Sequence, residues 1–296
     1  MIVNLVMMAA LICPAATQTK PAAQTQSAYG KLDNPFFAMD TATRDENHQT
    51  PESQLKLVKE LGFAGWAIHD TLDVTEVRSL ADSLGLRIFT IYVGLDLDKP
   101  DSAWNPKLPK AIRDLKGSGT VVWLYVTSRK HKPASEAGDE AAVKAIREVA
   151  EMADDAGLSV SLYPHHGFYV ASVRDAVRLA RKVDRPNVGL TFNLCHWLRS
   201  DGGKDLDELL QAAKPHLQMV TINGADPEGD WDRLIQPLGK GSYDVYGFLV
   251  KLHKLGFRGP IGLQGYGIKG DVHKHLKKGM KTWIEYRQRL SRETVR

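Results

Sequence analysis

Histidines follow two apolar segments in the second half of the chain at positions where they could move a proton. His165 and His166 follow the segment Leu158–Tyr163 after a single proline, and His196 lies three residues after Asn193. A neutral imidazole, with a pKa of about 6.5, can remove a proton next to a carbonyl group or bind a transition metal. We predict that His165 and His196 are catalytic and that His166 binds substrate. The alternative is that one of the two adjacent histidines is a hydrogen-bonded wall residue.

Side-chain amides end three successive apolar segments, at Asn193, Asn223 and Gln264. An amide both donates and accepts hydrogen bonds, so such a set suits sugar hydroxyls and a carbonyl oxygen, and it can stabilise an enolate. The alternative is that the amides tie neighbouring loops together. We predict substrate contacts for these amides and for Tyr163 and Tyr266, whose rings could equally be packing residues.

Lys240 lies between Gly239 and Gly241, ahead of an apolar pattern over Tyr246–Leu255. A lysine between glycines can meet a phosphate or a sugar hydroxyl, because glycine permits close backbone approach. We include Lys240 among the substrate-binding residues. The alternative is a plain loop that enters the following helix.

Aromatic and thiol side chains give weaker signals. Trp197 and Trp231 fall in predicted loops near the histidines and could stack on a sugar ring, whereas Trp66 and Trp123 fall inside apolar segments and are expected in the core. Cys195, beside His196, is expected to be a buried structural cysteine.

These residues need strands to position them, and short apolar runs recur along the chain. Most runs are apolar at consecutive positions, as expected for a parallel sheet covered on both faces. The predicted strands are Pro35–Met39, Ala64–Ile68, Arg87–Val93, Thr120–Val126, Leu158–Tyr163, Val188–Asn193, Gln218–Asn223 and Pro260–Gln264.

Helix signals fill the intervals between these runs. Thr50 precedes Pro51 as a helix cap, and Ser172 with Asp175 forms a capping-box pattern. Eight strand-then-helix units predict an α/β fold, a single-domain (β/α)8 TIM barrel; a doubly wound open sheet explains the regular alternation less well.

The barrel prediction says where the site should be. In such barrels the carboxyl ends of the strands carry the active site. Besides the residues above, this rule selects Asp40, His69, Asp70 and Asp96.

The amino-terminal stretch differs from the rest. Its apolar run from Met1 to Cys13 contains only Asn4 as a polar residue, which is typical of a secretory signal, although no basic residue precedes it. We expect residues 1–25 to be signal peptide and leader, 26–33 a flexible linker and 34–296 the barrel. Export to the periplasm or outside the cell follows, with no membrane span in the mature chain.

Composition excludes several classes of function. Over 296 residues the net charge is only +4, so no nucleic-acid partner is expected. The oligomeric state is left open by the sequence.

Four segments in the second half resemble the xylose-isomerase-like barrel family of sugar phosphate isomerases and epimerases, which also contains endonuclease IV. They are LSVSLYPHHGFY, NVGLTFNLCHWL, LQMVTINGAD and LGKGSYDVYGFLVKLHKLGFRGPIGLQGY. The resemblance implies a TIM barrel with one divalent metal, whose ligands would fall at Tyr163, Asn193, Thr221 and Gln264. It also implies that His196 contacts substrate.

The residues at those four positions depart from the family pattern of two Glu, one Asp and one His. A hard divalent cation prefers anionic oxygen, so we expect neither the metal site nor the two-glutamate mechanism to be retained. The same departure argues against an endonuclease, which needs a multi-metal cluster.

We therefore predict a sugar isomerase, epimerase or lyase that acts on a small carbohydrate or keto-sugar by proton transfer next to a carbonyl. The alternative is a non-catalytic sugar-binding barrel that has lost its metal site.

Overall fold

The computed structural model describes residues 32–69, 73–99 and 102–293. Eight parallel strands form a closed barrel in chain order, and the first strand pairs with the last. The strands are β1 Phe36–Met39, β2 Gly65–Ile68, β3 Arg87–Asp96, β4 Val121–Thr127, β5 Ser159–Leu162, β6 Val188–Asn193, β7 Leu217–Ile222 and β8 Ile261–Leu263.

Helices surround this barrel. Thr50 and Ser172 each form the predicted capping box, so α1 and α5 begin where the sequence signals place them. The helices are α1 Pro51–Glu60, α2 Val74–Ser83, α3 Leu108–Asp114, α4 Asp139–Asp155, α5 Val173–Val183, α6 Leu194–Asp201, α7 Leu206–Ala213, α8 Trp231–Leu234, α9 Val245–Leu255 and α10 Val272–Glu293.

The core has two parts. A large apolar layer lies between the strands and the helices, and a smaller cluster fills the inside of the barrel. The inner cluster includes Phe37, Phe89, Trp123 and Met219, and Tyr163 also belongs to it. Because side chains fill the barrel interior, a ligand site of the usual TIM-barrel kind would lie above Tyr163, at the carboxyl ends of the strands.

All eight predicted strands are present, which confirms the (β/α)8 fold. The extra residues of β3 extend it to Asp96, which the sequence placed just beyond its end. Trp66 and Trp123 are buried as predicted. The prediction for Trp197 was wrong: it lies inside α6, buried against Phe192 and Tyr243, because this helix begins directly after β6 without an intervening loop.

The predicted leader, linker and export signal fall almost wholly on residues 1–31, outside the described part of the chain, and they stay predictions. Among the described residues, no helix is both long and apolar enough to cross a membrane.

Candidate active site

His165 and His196 lie side by side at the carboxyl end of the barrel, with ring centroids 4.0 Å apart. His165 Nδ1 lies 3.0 Å from the backbone oxygen of His166, which can only accept, so this nitrogen carries the proton and Nε2 has the free lone pair. The backbone N–H of His166 donates to His196 Nδ1 over 3.3 Å, so His196 carries its proton on Nε2. The two rings therefore present a proton acceptor and a proton donor.

Burial keeps these imidazoles neutral. Burial lowers the pKa of His165 and lowers the pKa of His196 still further, and positive charge on neighbouring histidines lowers both pKa values as well. The pKa of His166 is also lowered by burial and by Arg199. At neutral pH the three imidazoles are therefore uncharged, and each carries one ring proton.

The loop after β5 presents His165 and His166 through a tight turn. Gly167 adopts φ +83, a conformation that favours glycine, and the backbone N–H of Phe168 returns to the His165 oxygen over 3.0 Å. Phe168 stacks on His165 at 3.9 Å between ring centroids. His166 Nδ1 lies 3.1 Å from the Ser200 hydroxyl on α6. The turn thus fixes both rings against the next strand's helix.

An aromatic wall continues around the strand ends from these histidines. Tyr92 stacks on His69 at 4.7 Å and on Tyr125 at 4.5 Å, and Tyr125 lies 5.5 Å from Phe168. On the other side, Trp231 meets His196 edge-on at 5.4 Å and is 38 % exposed. Flat apolar surfaces beside hydrogen-bonding groups are what the C–H faces of a sugar-like ring pack against.

Tyr92 and Tyr125 were not selected from the sequence, because they lie within predicted strands or at their edge. The signal that could have found Tyr125 is alternation: it is two residues after Trp123, which fills the barrel interior, and so it faces the same way. Ser200 was also missed, since it lies a full helix away from the end of β6.

Tyr163, Asn193 and Gln264 meet at the centre of this site. The Asn193 amide nitrogen donates to the Tyr163 hydroxyl, and the Gln264 amide also lies within hydrogen-bonding reach of it. All three side chains are buried, with at most 5 % of each residue exposed. The structure therefore joins three of the predicted substrate-binding residues into one neutral cluster, and it places His196 beside them at 6.0 Å from the Tyr163 ring.

The same cluster does not fit a divalent metal. Burial raises the pKa of Tyr163 well above its usual range, so its oxygen stays protonated, and amide nitrogen from Asn193 faces the centre where a cation would need oxygen. Within residues 32–69, 73–99 and 102–293, no three His, Cys, Asp or Glu side chains converge as a metal site. Thr221, the remaining implied ligand position, is buried and supplies only a hydroxyl.

Other predicted site residues lie elsewhere. The Asn223 amide donates to the backbone oxygens of Gly224 and Leu234. This side chain therefore ties loop segments together, as in the alternative considered for the amides. Lys240 is exposed in the turn before α9, and Gly239 beside it adopts φ +84. Tyr266 is 67 % exposed at the rim, where its backbone N–H donates to Gln264 Oε1.

The carboxylates near the strand ends are already engaged. Asp40 is buried and paired with Arg44, and it accepts the backbone N–H of His69 over 3.1 Å. Asp96 accepts the N–H of Asp98 in its own turn. Asp70, also selected from the sequence, lies outside the described residues.

Comparison with known proteins agrees with this architecture. A family model for the xylose isomerase-like TIM barrel matches residues 55–286. The 3-dehydroshikimate dehydratase of Pseudomonas aeruginosa is 29 % identical over 238 residues, which are 73 % of this chain and 36 % of that protein. The chain thus spans little more than a third of that curated relative.

Solved structures resemble the chain in fold. An L-ribulose 3-epimerase superposes with a TM-score of 0.71 at 15 % identity, over 88 % of this chain and 96 % of that one. A xylose isomerase-like TIM barrel/4-hydroxyphenylpyruvate dioxygenase fusion protein gives a TM-score of 0.69 at 20 % identity, over 88 % and 44 % of the two chains. At such identities the likeness establishes the fold alone.

Proposed function

The chain belongs to the xylose isomerase-like TIM barrel family, and from that premise we propose that it is an enzyme that removes a proton next to the carbonyl group of a small polyhydroxylated substrate. His165 is the base, through Nε2, and His196 is the hydrogen-bond donor to the substrate, through Nε2–H. The observation that carries the proposal is the arrangement of the His165 and His196 rings, whose centroids lie 4.0 Å apart at the carboxyl end of the barrel. The two rings hold their protons on opposite nitrogens.

The proposed first step balances as an enolisation. His165 Nε2 takes the proton from carbon, the electron pair of the C–H bond forms a C=C bond, and the carbonyl π pair moves to oxygen. A donor such as His196 Nε2–H stabilises the resulting enolate oxygen. Delivery of a proton to the opposite face of the same carbon gives an epimer, and delivery to the former carbonyl carbon, as the adjacent hydroxyl loses its proton, gives an isomer. Departure of a β-hydroxyl, which takes the proton from His165 and leaves as water, gives a dehydration product.

Two relatives suggest the chemistry to try first. One is a 3-dehydroshikimate dehydratase and one is an L-ribulose 3-epimerase. Both 3-dehydroshikimate and L-ribulose carry a carbonyl group with an acidic neighbouring C–H bond, which suits the histidine pair. They therefore lead the substrate panel, followed by other keto-sugars.

The test is proton exchange in D2O. Each substrate is incubated with the protein, and proton NMR follows both deuterium uptake next to the carbonyl and product formation, with chelator and with added Mn²⁺. We expect exchange with at least one substrate, and we expect His165→Ala to slow it about 100-fold or more, the usual contribution of a positioned general base.

His216→Ala is the matched control, because His216 lies at the opposite end of the barrel, just before β7. Its exchange rate should equal that of the unaltered protein. If His165→Ala and His196→Ala both leave turnover of a confirmed substrate unchanged, the assignment is wrong.

A second candidate function is a non-catalytic sugar-binding barrel. The neutral cluster of Tyr163, Asn193 and Gln264 favours it, since no carboxylate base is present at those positions. Binding of panel members without deuterium uptake would support this function, and exchange with any of them would exclude it.

A further inference from the structure

The orientation of both amides around Tyr163 is fixed by backbone hydrogen bonds. Asn193 Oδ1 caps α6 by accepting the His196 N–H over 3.3 Å, and it also accepts the Cys195 thiol. Since a backbone N–H can only donate, the oxygen must face it, and the NH2 group must point the other way, to the Tyr163 hydroxyl.

Gln264 is fixed in the same way. Its Oε1 accepts the backbone N–H groups of Gly265 and Tyr266 over 2.9 and 3.0 Å, and it also accepts the Thr41 hydroxyl at 3.0 Å. With its oxygen engaged by three donors, Gln264 can offer only its NH2 group to the centre. At both positions an NH2 group therefore faces the centre of the site, whereas a cation site would need oxygen atoms there.

Tyr163 is left with a proton that nothing in the described residues accepts. Its oxygen receives the amide N–H of Asn193, and among the described residues no hydrogen bond donated by the hydroxyl is formed. Only 2 % of the residue is exposed. A buried donor without an acceptor costs about 1–3 kcal/mol, so an acceptor oxygen brought by a ligand would be strongly preferred there.

Resting on the proposed function, we propose that Tyr163 is the electrophile of this site: its hydroxyl donates to the carbonyl oxygen of the bound substrate and holds the enolate that forms. The Asn193 donor polarises the phenol, since a hydrogen bond into its oxygen makes the O–H a stronger donor. The proton stays on Tyr163, and negative charge moves only within the substrate. A neutral donor thus does what a divalent cation would do in a metal-dependent barrel, and no resident metal is needed.

The first test measures binding of an oxyanion without turnover. 4-Nitrophenolate is titrated into the protein and followed by its absorbance, because its ring suits the aromatic wall and its oxygen mimics an enolate. We expect Tyr163→Phe to weaken binding about 10- to 100-fold, the effect of one hydrogen bond to a charged group. Equal affinity for the two proteins, or absence of phenolate binding by the unaltered protein, overturns the proposal.

Tyr243→Phe is the control for loss of a half-buried tyrosine hydroxyl, since Tyr243 packs behind the site against Trp197. Its phenolate affinity should be unchanged. Equal weakening in both variants would mean that the loss reflects packing and would contradict the role of Tyr163.

The second test concerns the metal itself. The unaltered protein is dialysed against Mn²⁺ and Zn²⁺ and its metal content is measured, and we expect no stoichiometric retention. Asn193→Asp/Gln264→Glu restores two anionic oxygens while keeping the backbone hydrogen bonds, so it is expected to gain Mn²⁺ binding. Retention of one metal ion per chain by the unaltered protein, lost in Tyr163→Phe, contradicts the proposal even if the double variant does not fold.

These binding measurements separate the two proposals. Failure of His165 to act as base appears in deuterium exchange and leaves phenolate affinity unchanged. Failure of the Tyr163 assignment appears in phenolate affinity or metal content and leaves the His165 result standing.

Discussion

At the scale of single residues, the site is built from neutral groups whose donor and acceptor directions are set by the backbone. The His166 carbonyl fixes the tautomer of His165, and the His166 N–H fixes that of His196. One peptide unit and its neighbour therefore decide which ring accepts a proton and which donates one. The same principle fixes Asn193 and Gln264, whose oxygens face backbone N–H groups.

The pH dependence of deuterium exchange follows from these assignments. His165 must be neutral to act as base, and burial lowers its pKa below about 6.5. We expect kcat/KM to be constant through neutral pH and to fall only as the pH drops through this lowered value. The measurement is the exchange rate over a pH series, and an acid limb centred above about 7 would contradict His165 as the base.

At the scale of elements, the loop that carries His165 and His166 is anchored by an ion-pair network behind it. Tyr169, at the end of this loop, donates to Asp139 on α4 over 2.6 Å. Arg178 on α5 pairs with both Asp139 and Asp175. The network thus joins α4, α5 and the loop that carries His165 and His166 through two carboxylates that are almost fully buried.

Arg178→Met should therefore be strongly destabilising. It removes the ion pair of buried Asp175 and leaves Asp139 with Lys182 as its cationic partner, and breaking such a buried pair costs about 3 kcal/mol or more in the free energy of unfolding. Urea denaturation measures the change. Arg174→Met on the same helix is the matched control, because Arg174 pairs with exposed Asp205 and Glu208, and its loss should cost less than about 1 kcal/mol. If both substitutions lower the free energy of unfolding by the same amount, burial does not strengthen the ion pairs of Arg178.

At the scale of the whole molecule, closure of the barrel brings distant segments to one point. The bond between Asn193 and Tyr163 spans 30 residues, and the bond between Thr41 and Gln264 spans 223. Pairing of β1 with β8 is what places Thr41 beside Gln264. The site therefore forms only when the barrel is closed.

Burial of the histidines should make the stability of the whole molecule depend on pH. Folding lowers the pKa values of His165, His166 and His196, so below about 6.5 the unfolded chain binds more protons than the folded one. The free energy of unfolding is therefore expected to be constant above that pH and to fall as the pH drops below it. Urea denaturation at about pH 7.5 and about pH 5.5 measures this slope.

A variant without the His196 ring, the most buried of the three, measures how much this ring contributes to the pH dependence of the free energy of unfolding. His196→Asn should flatten the pH dependence relative to the unaltered protein. A slope that is the same in both proteins would contradict burial of His196 as a cause of the pH dependence.

Much of the architecture was predictable from the sequence. The eight strands and the capping boxes at Thr50 and Ser172 were correct, because they depend on runs of apolar residues and on side chains within a few positions of each other. The placement of Trp197 was wrong, because the sequence does not show that α6 starts at the last residue of β6.

The candidate site was predictable as a set of residue types but not as an arrangement. The barrel rule selected His165, His196, Asn193 and Gln264 from their positions after apolar runs. The rule could not distinguish them from Asn223, whose amide donates hydrogen bonds to backbone oxygens of a loop.

The sequence by itself thus determined that the chain forms a barrel and at which end of it the candidate residues lie. It also showed that neutral side chains stand at positions where the family pattern has carboxylates. Only the tertiary structure decided which atoms of those side chains face the centre. Hydrogen-bond direction depends on partners that lie on other strands and loops, such as the N–H groups that turn the Asn193 and Gln264 oxygens away from Tyr163. Local sequence patterns carry no information about such partners, because barrel closure creates them.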